Sequence, residues 1–180
     1  FGHQNALKVE LKETKSELLQ QINAFETLLE SSPDAILLIE GKKIVVCNPA
    51  AKTLLGLEEI DITTLTPIDI SPEFQNYGET SEQKAKKIFE AVFSRGSYRF
   101  QWICKHSSGK EFWADIVLTV LKLNNKEVVY ASLRDISKTK KLEEDLKSYQ
   151  KNLEQKVQVR TQELEKERAA AEKASEAKSN

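Results

Sequence analysis

Histidine and cysteine do much of the chemistry that proteins perform, and this sequence holds two of each. His3 stands near the start of the chain and His106 beside a Ser-Ser-Gly turn, where a solvated polar side chain is the ordinary role. Neither has a Cys, Asp or Glu at metal-ligand spacing, so no metal is expected. Cys47 and Cys104 lie singly in apolar segments. They form no CxxC pair and no disulfide framework, and read as reduced, buried thiols. There is no Gly-rich phosphate loop and no nucleotide motif. A catalytic reading fails on this inventory, and the chain as given is not expected to be an enzyme.

Charge narrows the partners. With 27 basic and 28 acidic residues the formal net charge is -1. That is not the basic footprint required for a phosphate backbone, so no nucleic acid is expected. No apolar run reaches the ~18–20 residues of a membrane span and no signal peptide is visible. The expectation is a cytoplasmic segment without membrane contact. The chain opens Phe1-Gly2-His3-Gln4 and contains no Met, which reads as a piece of a longer protein; a membrane anchor elsewhere in the parent stays open.

The elements divide into three parts: 1–31, 32–137 and 138–180. In the first, Leu7, Leu11, Thr14, Leu18, Gln21, Phe25 and Leu28 keep the 4-3 spacing of a heptad seam, with Ile22 and Leu29 broadening it. Pro33 stops this helix. The period then changes to that of strands. Ala35–Ile39 and Lys43–Cys47 flank Glu40-Gly41-Lys42 as a hairpin. Asn48-Pro49 opens a short helix that Gly56 closes. A helical turn is expected at Ser71-Pro72-Glu73-Phe74, and a longer helix from the Thr80/Gln83 capping box to Arg95-Gly96. Strands follow at 98–104, 111–122 and 127–136, the last two joined by an Asn124-Asn125 turn. Ser137 caps a helix running to about Lys178. The predicted centre is α+β: a five-stranded antiparallel sheet with helices on one face. A polar helix as long as the last one needs a partner helix.

That order of elements resembles the PAS sensory domain, and local motifs carry the resemblance. Ser31-Ser32-Pro33-Asp34-Ala35-Ile36 is similar to the family's entry into its first strand. Asn48-Pro49-Ala50-Ala51 with Leu54-Leu55-Gly56 is similar to its N-x-A-x-x-x-L-x-G helix. Gly109-Lys110-Glu111-Phe112-Trp113 resembles the D-G-x-x-F/W turn, with Ser108 replacing the usual Asp. Arg134-Asp135-Ile136-Ser137 resembles the closing R-D-I-T/S, after which family members emit a signalling helix. Outside the centre, Leu153 to Leu164, with Arg160-Thr161-x-Glu163-Leu164, then Ala174 to Asn180, is similar to the linker before the phosphoacceptor helix of sensor histidine kinases.

The resemblance implies a pocket, a relay and a dimer. The pocket candidates are Leu37, Ile39, Phe74, Phe89, Phe93, Phe100, Trp102, Ile116, Leu118 and Tyr130, with the Trp102 N–H and the Tyr130 O–H as polar handles. They enclose a small apolar ligand or are solid core; both readings stand. The cofactor is unknown: the 81–94 helix lacks the histidine of haem-binding members, the flavin binders' N-C-R-F motif is missing, and the absence of any cofactor is an open alternative. The relay candidates are Arg134, Asp135, Ile136 and Ser137, with Asp135 tying the sheet to the exiting helix through Arg134 or a base on a neighbouring strand.

The dimer seam is Leu7, Leu11, Leu18, Phe25 and Leu28, then Leu142, Leu146, Tyr149, Leu153, Val157 and Leu164. The step from Leu153 to Val157 is either a one-residue slip or a residue beside the seam. Parallel pairing follows from two equivalent outputs at one end, although heptads alone fit antiparallel pairing as well. The function implied is relay of a stimulus through a coiled coil to a downstream histidine kinase module lying outside this chain. The rivals are an input module for a cyclic-dinucleotide synthase or transcription factor, and a ligand-free dimerisation module.

Overall fold

A computed structural model describes residues 2–179, the side chains of residues 2, 3 and 77 excepted. The His3 side chain therefore falls outside the described residues. The elements are α1 (Gly2–Ser31), β1 (Ala35–Glu40), β2 (Lys43–Cys47), α2 (Pro49–Leu55), α3 (Ser81–Arg95), β3 (Ser97–Lys105), β4 (Glu111–Leu123), β5 (Lys126–Asp135) and α4 (Ser137–Lys178).

The strands form one antiparallel sheet in the order β2-β1-β5-β4-β3. The chain starts at β1, second from one edge, adds β2 as that edge, crosses to the far edge after α3, and returns by hairpins so that β5 lies beside β1. Alternation selects the buried face. Phe112, Ala114, Ile116 and Leu118 of β4 point into the core with Leu37 and Ile39 of β1 and Val129, Ala131 and Leu133 of β5. Ile88 and Val92 of α3 and Ala51 and Leu55 of α2 close that face.

The helix ends follow the residues that flank them. Asn48 Oδ1 accepts from the Ala51 N–H, with Pro49 at the first helical position, and Gly56 ends α2 at φ 69°. Thr80 Oγ1 accepts from the Gln83 N–H at the start of α3. The Gly96 N–H returns to the Val92 carbonyl at its end. Asn124 and Asn125 both take positive φ, 49° and 62°, as a two-residue hairpin turn requires.

One expected element is displaced. There is no helical turn at Ser71–Phe74. Ser71 sends its hydroxyl back to the Pro67 carbonyl, and Phe74 pairs with Thr80 in an isolated bridge. The helical turns of this segment are instead Ile62–Thr64, started by the Asp61 carboxylate, and Asn76–Gly78.

The chain separates into two compact units, residues 1–136 and 137–180. In the first, α1 is exposed along its described length except at the half-buried Leu29. In the second, α4 is a single 42-residue helix, about 60 Å long at 1.5 Å per residue. Leu142, Leu146, Tyr149, Leu153, Val157 and Leu164 are all exposed on it. Among the described residues no helix is long and apolar enough to cross a membrane.

Candidate functional site

A cavity of about 60 Å³ lies between α3 and the sheet. Leu37, Ile39, Phe89, Phe100, Trp102, Ile116 and Leu118, each expected in the pocket, line it. Three candidates are elsewhere. Phe93 is 50% exposed on α3: it follows the fully buried Val92, and one helical step of about 100° carries it out of the interface. Phe74 is 51% exposed, held on the loop by its bridge to Thr80. Tyr130 sits out of phase with Val129 and Ala131 and opposite Thr119, on the other face of the sheet. Its hydroxyl is no handle for the cavity. Pro67, Ile68, Ile70 and Ser71 also line it, from a segment with no periodicity to reveal it.

The cavity wall is closed to polar recognition. The Trp102 indole N–H donates to Ser71 Oγ at 2.9 Å, and Ser71 Oγ donates to the Pro67 carbonyl at 2.8 Å. The other expected handle is therefore spent inside the wall. No buried side-chain nitrogen or oxygen among the described residues lacks a hydrogen-bond partner. Cys104 also lines the cavity. Burial first, and the charge of Asp135 second, push its thiol up to about 12, so it is a neutral, weakly polar neighbour. Burial likewise raises Cys47. Among the described residues no group of three or more His, Cys, Asp or Glu is placed to hold a metal.

His106 is more than a surface side chain. Its Nδ1 accepts from the Ser108 N–H and bonds Ser108 Oγ, while the Ser107 N–H donates to the Leu55 carbonyl. The turn thereby docks on the end of α2. A Cβ at Gly56 would overlap Ser107 Oγ and the His106 ring.

At the exit of the sheet, Arg134, one of the two kinds of partner expected for Asp135, forms its fork with another carboxylate. Arg134 places both arms of its guanidinium on Asp34, Nε to Oδ1 at 3.0 Å and a terminal nitrogen to Oδ2 at 2.8 Å. These hydrogen bonds hold the Asp34 carboxyl below the usual carboxylate range. A second fork, Arg99 on Asp115, lies on the strands beside it. The Ile136 N–H donates to the Trp113 carbonyl at 2.9 Å, extending the β4–β5 ladder to the residue before Ser137 starts α4. The sequence offered no local sign of the Asp34–Arg134 pair, whose members are separated by 100 residues.

The comparisons with known proteins agree on the fold. A family model described as PAS domain matches residues 33–138, more than half of the chain. No curated protein gives a significant match. Among solved structures, a PAS domain from a two-component sensor histidine kinase superposes with a TM-score of 0.54 at 16% identity, covering 67% of this chain and 98% of that one. The PAS domain of a Colwellia psychrerythraea protein gives 0.57 at 18% identity, covering 67% and 98%. The PAS domain of a LuxR-family transcriptional regulator from Burkholderia thailandensis, solved in complex with ethanol, gives 0.50 at 19% identity, covering 63% and 97%.

Proposed function

Because the chain belongs to the PAS domain family, a family of sensory rather than catalytic modules, we propose that it is a homodimeric signal relay whose α4 drives a downstream histidine kinase module. The observation that carries this reading is the pair of flanking helices. The seam residues of α1 (Leu7, Leu11, Leu18, Phe25, Leu28) and the seam residues of α4 are exposed on one chain. A stripe of leucines at heptad spacing gains its stabilisation only against a second helix. Two parallel chains supply it and bring two outputs to one end. The stretch Arg160-Thr161-x-Glu163-Leu164 favours a kinase over a cyclic-dinucleotide synthase or a transcription factor. Asp135, Ile136 and Ser137 join the sheet to α4, and a shift of β5 there would reach the helix as rotation or a change of register.

Native mass spectrometry tests the dimer. The wild-type chain should appear at twice its mass, and Leu146→Lys, which places a charge on the seam without touching the core, should shift it to monomer. A wild-type monomer at tens of micromolar would sink the coiled-coil relay.

The cavity favours a second, compatible reading, that the core senses a small apolar molecule. One water needs about 10–15 Å³ of such space, so about 60 Å³ admits only a few heavy atoms. The lining offers no charged side chain, so recognition there would rest on size and apolarity. Xenon or ethanol, followed by amide NMR, should shift the resonances of Ala85 and Leu118, and Ala85→Leu should abolish the response. Shifts confined to surface amides would leave this core a solid one.

A further inference from the structure

The join between α1 and the sheet is built around one buried amide. Asn48 is 3% exposed, and its side chain is used completely. Oδ1 accepts from the Ile36 and Ala51 N–H groups, each at 2.9 Å, and Nδ2 donates to the carbonyls of Leu29 and Asp34, each at 3.0 Å. The Leu29 carbonyl belongs to the last turn of α1, where carbonyls have no partner within the helix. A single buried amide therefore binds the end of α1 to β1, to the start of α2 and to the linker between α1 and β1. That linker carries Asp34, whose carboxylate takes both arms of Arg134. A two-point fork fixes orientation as well as distance. Arg134 is the second-to-last residue of β5, and α4 begins three positions later. On β4, directly opposite Arg134, stands Asp115. Asp115 is gripped in the same manner by Arg99 of β3, so the latched end of β5 is backed by strands on both sides.

We infer that residues 29–34 and 134–136 form one latch, through which a displacement of α1 reaches the end of β5 without involving the cavity. The domain then has an input of its own at α1, and Asn48, Asp34 and Arg134 are positioning residues for the output. The functional weight of the latch rests on the proposal that α4 is the output; its existence does not. The pair is not chiefly a source of stability. The Arg134 side chain is 68% exposed, and exposed ion pairs contribute little to global stability. Its consequence is geometric and appears in local opening.

Hydrogen exchange by mass spectrometry on the full chain reads that opening at both ends of the latch. Arg134→Gln should speed exchange about threefold or more not only at 133–136 but also at 29–36, as expected for a shared local opening. Asp34→Asn should do the same at 133–136. The double variant should exchange no faster than the faster single one, because both changes remove one link. Lys126→Gln, which breaks the Lys126–Glu40 pair at the other end of β5, should leave both segments unchanged. Arg134→Lys keeps the charge without the fork and should fall between wild type and Arg134→Gln. Changes confined to the mutated segment, additive effects, or a uniform rise across the chain would each overturn the latch. A monomer by native mass spectrometry would refute the dimeric relay without affecting these exchange patterns, so the two failures are distinguishable.

Discussion

At the scale of single residues, Asp34 and Asn48 show what a local reading omits. Both were legible as parts of motifs, Asp34 in the approach to β1 and Asn48 as a helix cap. Capping needs only the neighbours three positions along, and the Asn48–Ala51 bond was foreseeable. The bonds from Asn48 to Leu29 and from Asp34 to Arg134 depend on which strand β5 lies beside, and sequence spacing does not encode that. The depressed Asp34 carboxyl makes the pair testable by pH. A carboxyl whose folded value lies below its unfolded value, about 3.9 for Asp, stabilises the fold above that value and loses the contribution as pH falls through the folded one. Melting temperatures of wild type and Asp34→Asn, compared between pH 7 and about pH 2.5, should therefore show a small gap at neutral pH, as an exposed pair gives, and converge in acid. A constant gap across that range would assign the difference to packing.

Among the elements, the sheet was the most legible part and the segment between α2 and α3 the least. Two-residue alternation placed β4 face by face, and Phe112, Ala114, Ile116 and Leu118 are all on the core side. Tyr130, which the resemblance put among the pocket candidates, lies one step of register off the core face. β5 carries apolar residues on both faces at Val128, Val129 and Tyr130, so composition did not choose the phase. The 58–80 segment has no period to read, and four of its residues line the cavity. The contact of α2 with the β3–β4 turn is a feature of packing alone. Gly41 and Gly56 both have positive φ, 61° and 69°, but only Gly56 is crowded, against Ser107 and His106. Gly41→Ala should cost about 1 kcal/mol in chemical denaturation, the usual penalty of a left-handed backbone. Gly56→Ala should cost more, by on the order of 1–3 kcal/mol for displacing the turn. Equal losses would mean that the turn yields freely.

For the whole molecule, the abrupt changes of composition at Pro33 and Ser137 pointed to three parts, whereas the compact units run 1–136 and 137–180, with α1 counted in the same unit as the sheet. The cavity is walled by apolar side chains and by polar groups that already have partners. The same closed wall turns Cys104 into an internal clock. At 1% exposure and with its thiol pushed up to about 12, it is inert towards thiolate-seeking reagents while the core is shut. The half-buried Cys47 lies on an edge strand and should be modified first. The subsequent slow labelling of Cys104 should then report how often the core around it opens. A cavity ligand should lengthen that interval, by mass action on the closed state. A thiol that has no chemistry of its own thus gives this domain a chemical readout of its breathing, requiring neither an attached probe nor a downstream partner.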